Sequence, residues 1–87
     1  MGNQGTTDKK LLQKAVGKRI KQLREERNIP QQDIAGACNM EKSNFSRLEA
    51  GNTNPTLYTL YKIAKNLEVE MCEIVKIDLN DISQKSY

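Results

Sequence analysis

The sequence predicts an all-α fold of five short helices, and three observations carry that prediction. Apolar residues recur at helical spacing, with Leu12, Val16, Ile20 and Leu23 separated by 4, 4 and 3 positions. Helix-ending residues fall between the periodic stretches, at Pro30, Asn39, Gly51 and Pro55. Between Gln31 and Gly51 the chain reads QQDIAGACNMEKSNFSRLEAG, in which Ala35, Asn39, Phe45 and Leu48 are spaced as two short helices joined by a tight turn.

The first helix is expected from about Lys9 to Arg27, with Asp8 as its N-cap. Asn28-Ile29-Pro30 ends it, because a proline disfavours the helical conformation in the residue before it. Pro30 then suits the start of a second helix, where its missing N–H costs nothing. That helix covers about Gln31 to Cys38, with Ile34, Ala35 and Cys38 inward. Ala35 is small because the two helices must approach closely there. The turn is Asn39-Met40-Glu41. Asn is the best non-glycine residue for a left-handed backbone, and Met40 plugs the corner.

Glu41 is expected to cap a third helix from about Lys42 to Ala50, which Gly51 terminates. Phe45 and Leu48 give that helix a buried face and leave Lys42, Ser43, Asn44 and Arg47 outward. After the polar loop Asn52-Thr53-Asn54-Pro55, Thr56 caps a fourth helix to about Asn66, with Leu57, Leu60, Ile63, Ala64 and Leu67 apolar. A short fifth helix is expected at about Glu70 to Val75, with Met71, Ile74 and Val75 inward. The tail from Ile77 alternates briefly at Ile77 and Leu79, a pattern that fits a short strand, a helix extension or a disordered end equally well. The expected organisation is a flexible start over residues 1–8, one domain over 9–76, and a tail over 77–87 that serves dimerisation or is disordered.

Composition bounds the function. The 87 residues suffice for one small domain. At 37% apolar and 29% charged, the chain has an ordinary globular composition. Its apolar runs are too short to span a membrane, and no apolar segment follows the first charges as a secretory signal would require. A cytoplasmic location is expected. The net charge is only +3, but it is unevenly spread. Residues 1–47 carry ten Lys/Arg against five Asp/Glu, and residues 48–87 carry four against six. Such a split favours a polyanion on one side of the molecule. The chain has no histidine, and Cys38 and Cys72 stand far apart, so neither a zinc finger nor a metal catalyst is expected. Both cysteines read as small buried hydrophobes. No cofactor is implied. No phosphate-cradling glycine loop or identifiable carboxylate pair supports an enzyme.

The stretches VGKRIKQLREERNIPQQDIA, NFSRLEAG and NPTLYTLYKIAKNLEV resemble the Cro/C1-type, or XRE, helix-turn-helix family over about two-thirds of the chain. The resemblance implies a five-helix, lambda-repressor-like domain that binds double-stranded DNA as a transcriptional regulator. Members of this group are among the standard examples of helix-turn-helix docking, in which the second helix of the motif enters the major groove. Carried over by position, Gln31 would anchor to a phosphate. Lys42, Ser43 and Arg47 would reach base edges, and Asn44 would touch phosphate or base. Arg24 and Glu49 would form an ion pair tying the first helix to the end of the third. Three positions depart from the family pattern. Pro30 stands where Ser or Thr usually caps, Asn39 where Gly usually turns, and Glu41 where a small hydroxyl residue usually caps.

Read alone, the Lys42, Ser43, Asn44 and Arg47 face is a common solvated helix surface; its place in a complete helix-turn-helix makes it a reading head. Arg47 is the best candidate for a bidentate contact with guanine, since its fork matches two acceptors. Gln31, Gln32, Asn52 and Asn54 are candidate phosphate contacts, with first-turn and loop chemistry as their simpler roles. Phe45 belongs to the core, and a half-buried Tyr61 fits the same fold better than base stacking does. A homodimer on a pseudo-palindromic site is expected, because one domain reads few base pairs. Met71, Ile74, Val75, Ile77 and Leu79 are the candidate dimer surface, each with the core or a frayed tail as its alternative. An antitoxin holding a partner protein, or a protein-interaction module, would share this fold.

Overall fold

The structure is a computed structural model that describes residues 2–78, with side chains from Asp8 onward. Five helices follow in order: α1 (Gly2–Glu26), α2 (Gln31–Ala37), α3 (Lys42–Glu49), α4 (Leu57–Leu67) and α5 (Met71–Ile74). The described residues contain no strand. Most helix ends lie within a residue or so of their expected places. The exception is the start of α1, which lies upstream of Lys9, so Asp8 sits inside the helix instead of capping it. No proline interrupts Gly2 to Asp8, and extending an existing helix costs far less than nucleating one. Leu79 and the remainder of the tail lie outside the described residues.

The core forms where these helices converge. Phe45, Ile20, Ile63, Leu67, Ile74 and Cys38 are its largest fully buried side chains, joined by Val16, Leu23, Ile34, Ala35, Leu48 and Ala64. Removing each large aliphatic or aromatic side chain from water contributes about 1.5–3 kcal/mol before entropy is counted. Met40 packs against this core from the turn, as its position suggested. Leu12 and Leu57 do not join it: they are 45% and 74% exposed. Leu12 lies about a turn N-terminal to Val16, the first fully packed position of α1, and Leu57 occupies the first turn of α4, so each sits near the margin of the core. Tyr61 is close to half-buried, at 45% exposure, as its position suggested. Cys72 is exposed, which corrects the expectation of two buried cysteines. α5 is a single turn, and Ile74 is the position it buries.

The first four helices stop in the same way. Asn28, Asn39, Gly51 and Glu68 all take positive φ, at 56°, 58°, 82° and 61°. In each case the N–H of the following residue reaches back five positions: Ile29 to the Arg24 carbonyl, Met40 to Ala35, Asn52 to Arg47, and Val69 to Ala64. This is the left-handed closure that satisfies carbonyls orphaned at a helix end. Asn39 and Gly51 do what their residue types predicted.

Two glycines fix where α1 crosses the motif. A Cβ at Gly17 would collide with the Leu48 carbonyl oxygen and lie 2.6 Å from that of Glu49. The backbone of α1 therefore lies directly on the last turn of α3. At Gly51 a Cβ would fall 2.6 Å from Lys14 Cα, so the end of α3 needs glycine for space as well as for its φ. α4 is joined to the motif by polar groups. Lys62 Nζ donates to the Cys38 carbonyl at 3.0 Å, completing the end of α2, and Asn66 Nδ2 donates weakly to Cys38 Sγ at 3.7 Å. Arg19 joins α1 to α5: Nη2 reaches Glu73 Oε1 at 2.7 Å and Nε donates to the Glu73 carbonyl at 2.7 Å.

Candidate nucleic-acid interface

The eight residues of α3 divide cleanly by burial. Phe45, Leu48 and Glu49 are buried, and Lys42, Ser43, Asn44, Ser46 and Arg47 are exposed. The fully buried Phe45 anchors the backbone from which these exposed side chains project. Glu41 occupies the N-cap position of α3 but its carboxylate makes no capping hydrogen bond. The expected side-chain cap is absent, because the longer Glu chain stays in solvent instead of folding back as Ser or Asp does. The first N–H groups of α3 therefore have no side-chain cap at this end. Pro30 likewise gives α2 no side-chain cap.

The support beneath this surface is a buried polar network. Arg24 Nε donates to Glu49 Oε2 at 2.6 Å, Arg24 Nη2 to Glu49 Oε1 at 3.0 Å, and Arg24 Nη1 to the Ile29 carbonyl at 2.7 Å. Both residues are buried, at 8% and 7% exposure. The hydrogen bond from the guanidinium to Glu49 outweighs the opposing effect of burial and, with the charge of that carboxylate, raises the Arg24 pKa above its ordinary value, so Arg24 keeps its charge inside the fold. Gln31 completes the network, its Nε2 donating to Glu49 Oε1 at 2.8 Å. The structure thus brings together the end of α1, the start of α2 and the end of α3. Gln31 was singled out only as a phosphate anchor; here it also holds the motif together. An amide nitrogen carries two hydrogens, so one remains for a phosphate.

Gln32, Asn52 and Asn54 are exposed on the first turn of α2 and on the loop after α3. The loop is tied to α3 by the Asn52 N–H, 2.9 Å from the Arg47 carbonyl. The dimer candidates divide. Ile74 is wholly buried within its own domain and is removed from that surface, because an apolar residue on a one-turn helix is drawn into the nearest core. Met71 is partly buried against the same core. Val75 is 50% exposed. Ile77 lines an open apolar groove of roughly 400 Å³ with Leu12, Val16, Pro55, Leu60 and Val75. Sequence reasoning placed Leu12 in the core, since core and groove positions share one periodicity.

A helix-turn-helix family model (HTH_3) matches residues 20–74. The chain belongs to the Cro/C1-type helix-turn-helix family of DNA-binding transcriptional regulators. It is 34% identical over 64 residues to the uncharacterised HTH-type transcriptional regulator y4dJ of Sinorhizobium fredii, covering 74% of this chain and 83% of that protein. It is 37% identical over 60 residues to the immunity repressor protein of Bacillus phage phi105, covering 69% of this chain but only 42% of the repressor. Among solved structures, the restriction-modification controller protein C.AhdI from Aeromonas hydrophila superposes with a TM-score of 0.68 at 26% identity, covering 70% of this chain and 92% of the controller. The match spans α2, the turn, α3 and the end of α1 that carries Arg24, so the buried network and the exposed α3 face both lie inside the family unit. Among the described residues no helix is long and apolar enough to cross a membrane, and no cluster of His, Cys, Asp or Glu is placed to hold a metal ion.

Proposed function

We propose that this chain is a sequence-specific transcriptional regulator that binds a pseudo-palindromic operator as a homodimer, with α3 in the major groove and in the cytoplasm. The observation that carries the reading is α3 itself: Lys42, Ser43, Asn44 and Arg47 are exposed on a short helix whose opposite face is locked into the core. Arg47 reads a guanine through O6 and N7, Lys42 reaches a guanine or a phosphate from the first turn, and Ser43 and Asn44 read adjacent edges. Gln31, Gln32, Asn52 and Asn54 set the register on phosphates from either side of α3. The dimer forms on the apolar groove, through Val75, Ile77 and Leu12.

Selection of bound duplexes from a random DNA pool at physiological salt tests the reading. A recovered sequence with two inverted halves, centred about one helical turn apart, supports it. A folded protein that enriches no sequence refutes it.

A further inference from the structure

We infer that α1 carries a second DNA-binding element, a stripe of lysines that grips backbone phosphates flanking the half-site read by α3. The inference rests on the DNA-binding reading above and extends it to a helix outside the two-helix motif. From residue 9 to residue 24 the chain holds Lys9, Lys10, Lys14, Lys18, Arg19, Lys21 and Arg24 and not one Asp or Glu; Glu25 is the next acid. Arg19 and Arg24 are committed to Glu73 and Glu49. Lys10, Lys14, Lys18 and Lys21 are exposed and form no hydrogen bond or ion pair with another described residue.

These four lysines share one side of α1. Projected at 3.6 residues per turn they fall within an arc of about 80°, and Gly17 lies about 20° beyond its edge. Gly17 is the residue that rests on the last carbonyls of α3, so the stripe borders the end of the recognition helix. Lys14 also lies against Gly51, the residue before Asn52, and Lys9 shares a groove with Asn54. The cationic stripe is therefore continuous with the loop that follows α3. On its far side, Lys14 and Lys18 line a shallow groove with Lys76 and Asp78. From Lys10 to Lys21 the helix rises about 16 Å, the length of roughly five phosphate steps along one strand. A lysine held on a phosphate acts as a point charge and reads no base there, so the element contributes affinity and leaves sequence preference to α3.

The test compares the full chain with a triple variant, Lys10→Gln, Lys14→Gln and Lys18→Gln, on an operator duplex with several flanking base pairs and on a random duplex of equal length. Affinity is measured from about 50 to 200 mM salt. Each phosphate contact contributes about 0.9 to the slope of log K against log salt, so three lost contacts remove up to about 2.7, or roughly 40-fold of salt sensitivity across that range. The expected result is a shallower slope, weaker binding to both duplexes alike, and an unchanged preferred sequence. The matching triple Lys→Arg variant keeps the wild-type slope. An unchanged slope in the triple Gln variant, with a wild-type melting curve, overturns the inference while leaving the α3 reading intact; that result would assign the stripe to an acidic protein partner or to solvent. A changed base preference also overturns it. A wild-type chain that binds neither duplex overturns both readings.

Discussion

Replacing Arg24 by alanine tests the buried network that fixes α2 against α3. The substitution removes two hydrogen bonds to Glu49 and one to the Ile29 carbonyl, and leaves a carboxylate at 7% exposure with only Gln31 to satisfy it. Breaking a buried pair from one side costs about 3–5 kcal/mol, most of it the uncompensated charge. The surviving Gln31 bond places the expected cost near the lower bound, about 3 kcal/mol. For a domain of this size each 1 kcal/mol lowers the melting temperature by roughly 4–8 °C, so a fall of about 12–24 °C is expected. An 87-residue chain has a total stability of only about 4–13 kcal/mol, so the variant remains folded at low temperature but approaches the margin. Thermal unfolding followed by circular dichroism measures the shift. The double variant Arg24→Met, Glu49→Leu separates two explanations, since replacing both charges by apolar groups of similar volume is often neutral. If the single variant melts within about 3 °C of wild type, the network is a surface ornament and the argument from burial is wrong.

Further outcomes follow from the geometry. Arg47→Ala is expected to lose about 1–3 kcal/mol of discrimination at one base pair of each half-site while melting like wild type; equal weakening on operator and random DNA would contradict its role as a base reader. Gly17→Ala forces a methyl group into the Leu48 and Glu49 carbonyls and should cost at least the 1–3 kcal/mol typical of overpacking, read as a lower denaturation midpoint. Cys38 is wholly enclosed, and burial pushes its thiol pKa up, with Lys62 and Asn66 pulling it partly back. Native protein treated with iodoacetamide should be modified at Cys72 and not at Cys38. Because the unfolded thiol ionises first, the folded state holds the proton longer, so stability should fall as pH rises through the ordinary thiol range, about 8.5; Cys38→Ala removes that part of the alkaline slope. For the proposed homodimer, Val75→Glu should raise the dissociation constant in sedimentation at an unchanged melting temperature, and an unaltered constant would refute the groove as its interface.

The legible parts of this structure are those encoded over short distances. Asn39 and Gly51 announce their left-handed turns by residue type, and Phe45 and Leu48 define the buried face of α3 by spacing alone. Asn28 and Glu68 adopt the same backbone conformation without signalling it, because Pro30 already accounts for the end of α1 and glutamate is an unusual residue for such a turn. The close crossing at Gly17 involves segments more than thirty positions apart, and nothing in either one names the other. The bond from Arg19 to Glu73 spans 54 positions and hides for the same reason. Apolar character also fails to say which surface a residue covers. Ile74 and Val75 are adjacent and alike in sequence, yet one is wholly buried and the other half open. The α3 face was readable as a set of residues, whereas the dual use of Gln31 needed the third dimension.

The four repeated helix stops bear on how this chain finds its fold. Each is closed by a hydrogen bond reaching back five residues, so each is a decision the chain makes with its immediate neighbours. The places where the helices end are thus encoded locally, while helices as short as α2, α3 and α5 need their packing partners to persist. What remains is the docking of segments whose ends are already defined, over short intervening loops. Chains dominated by such local contacts search little and fold in microseconds to milliseconds. Folding of this domain would then add little delay after its synthesis, and the supply of the proposed homodimer would be governed by synthesis, pairing and removal.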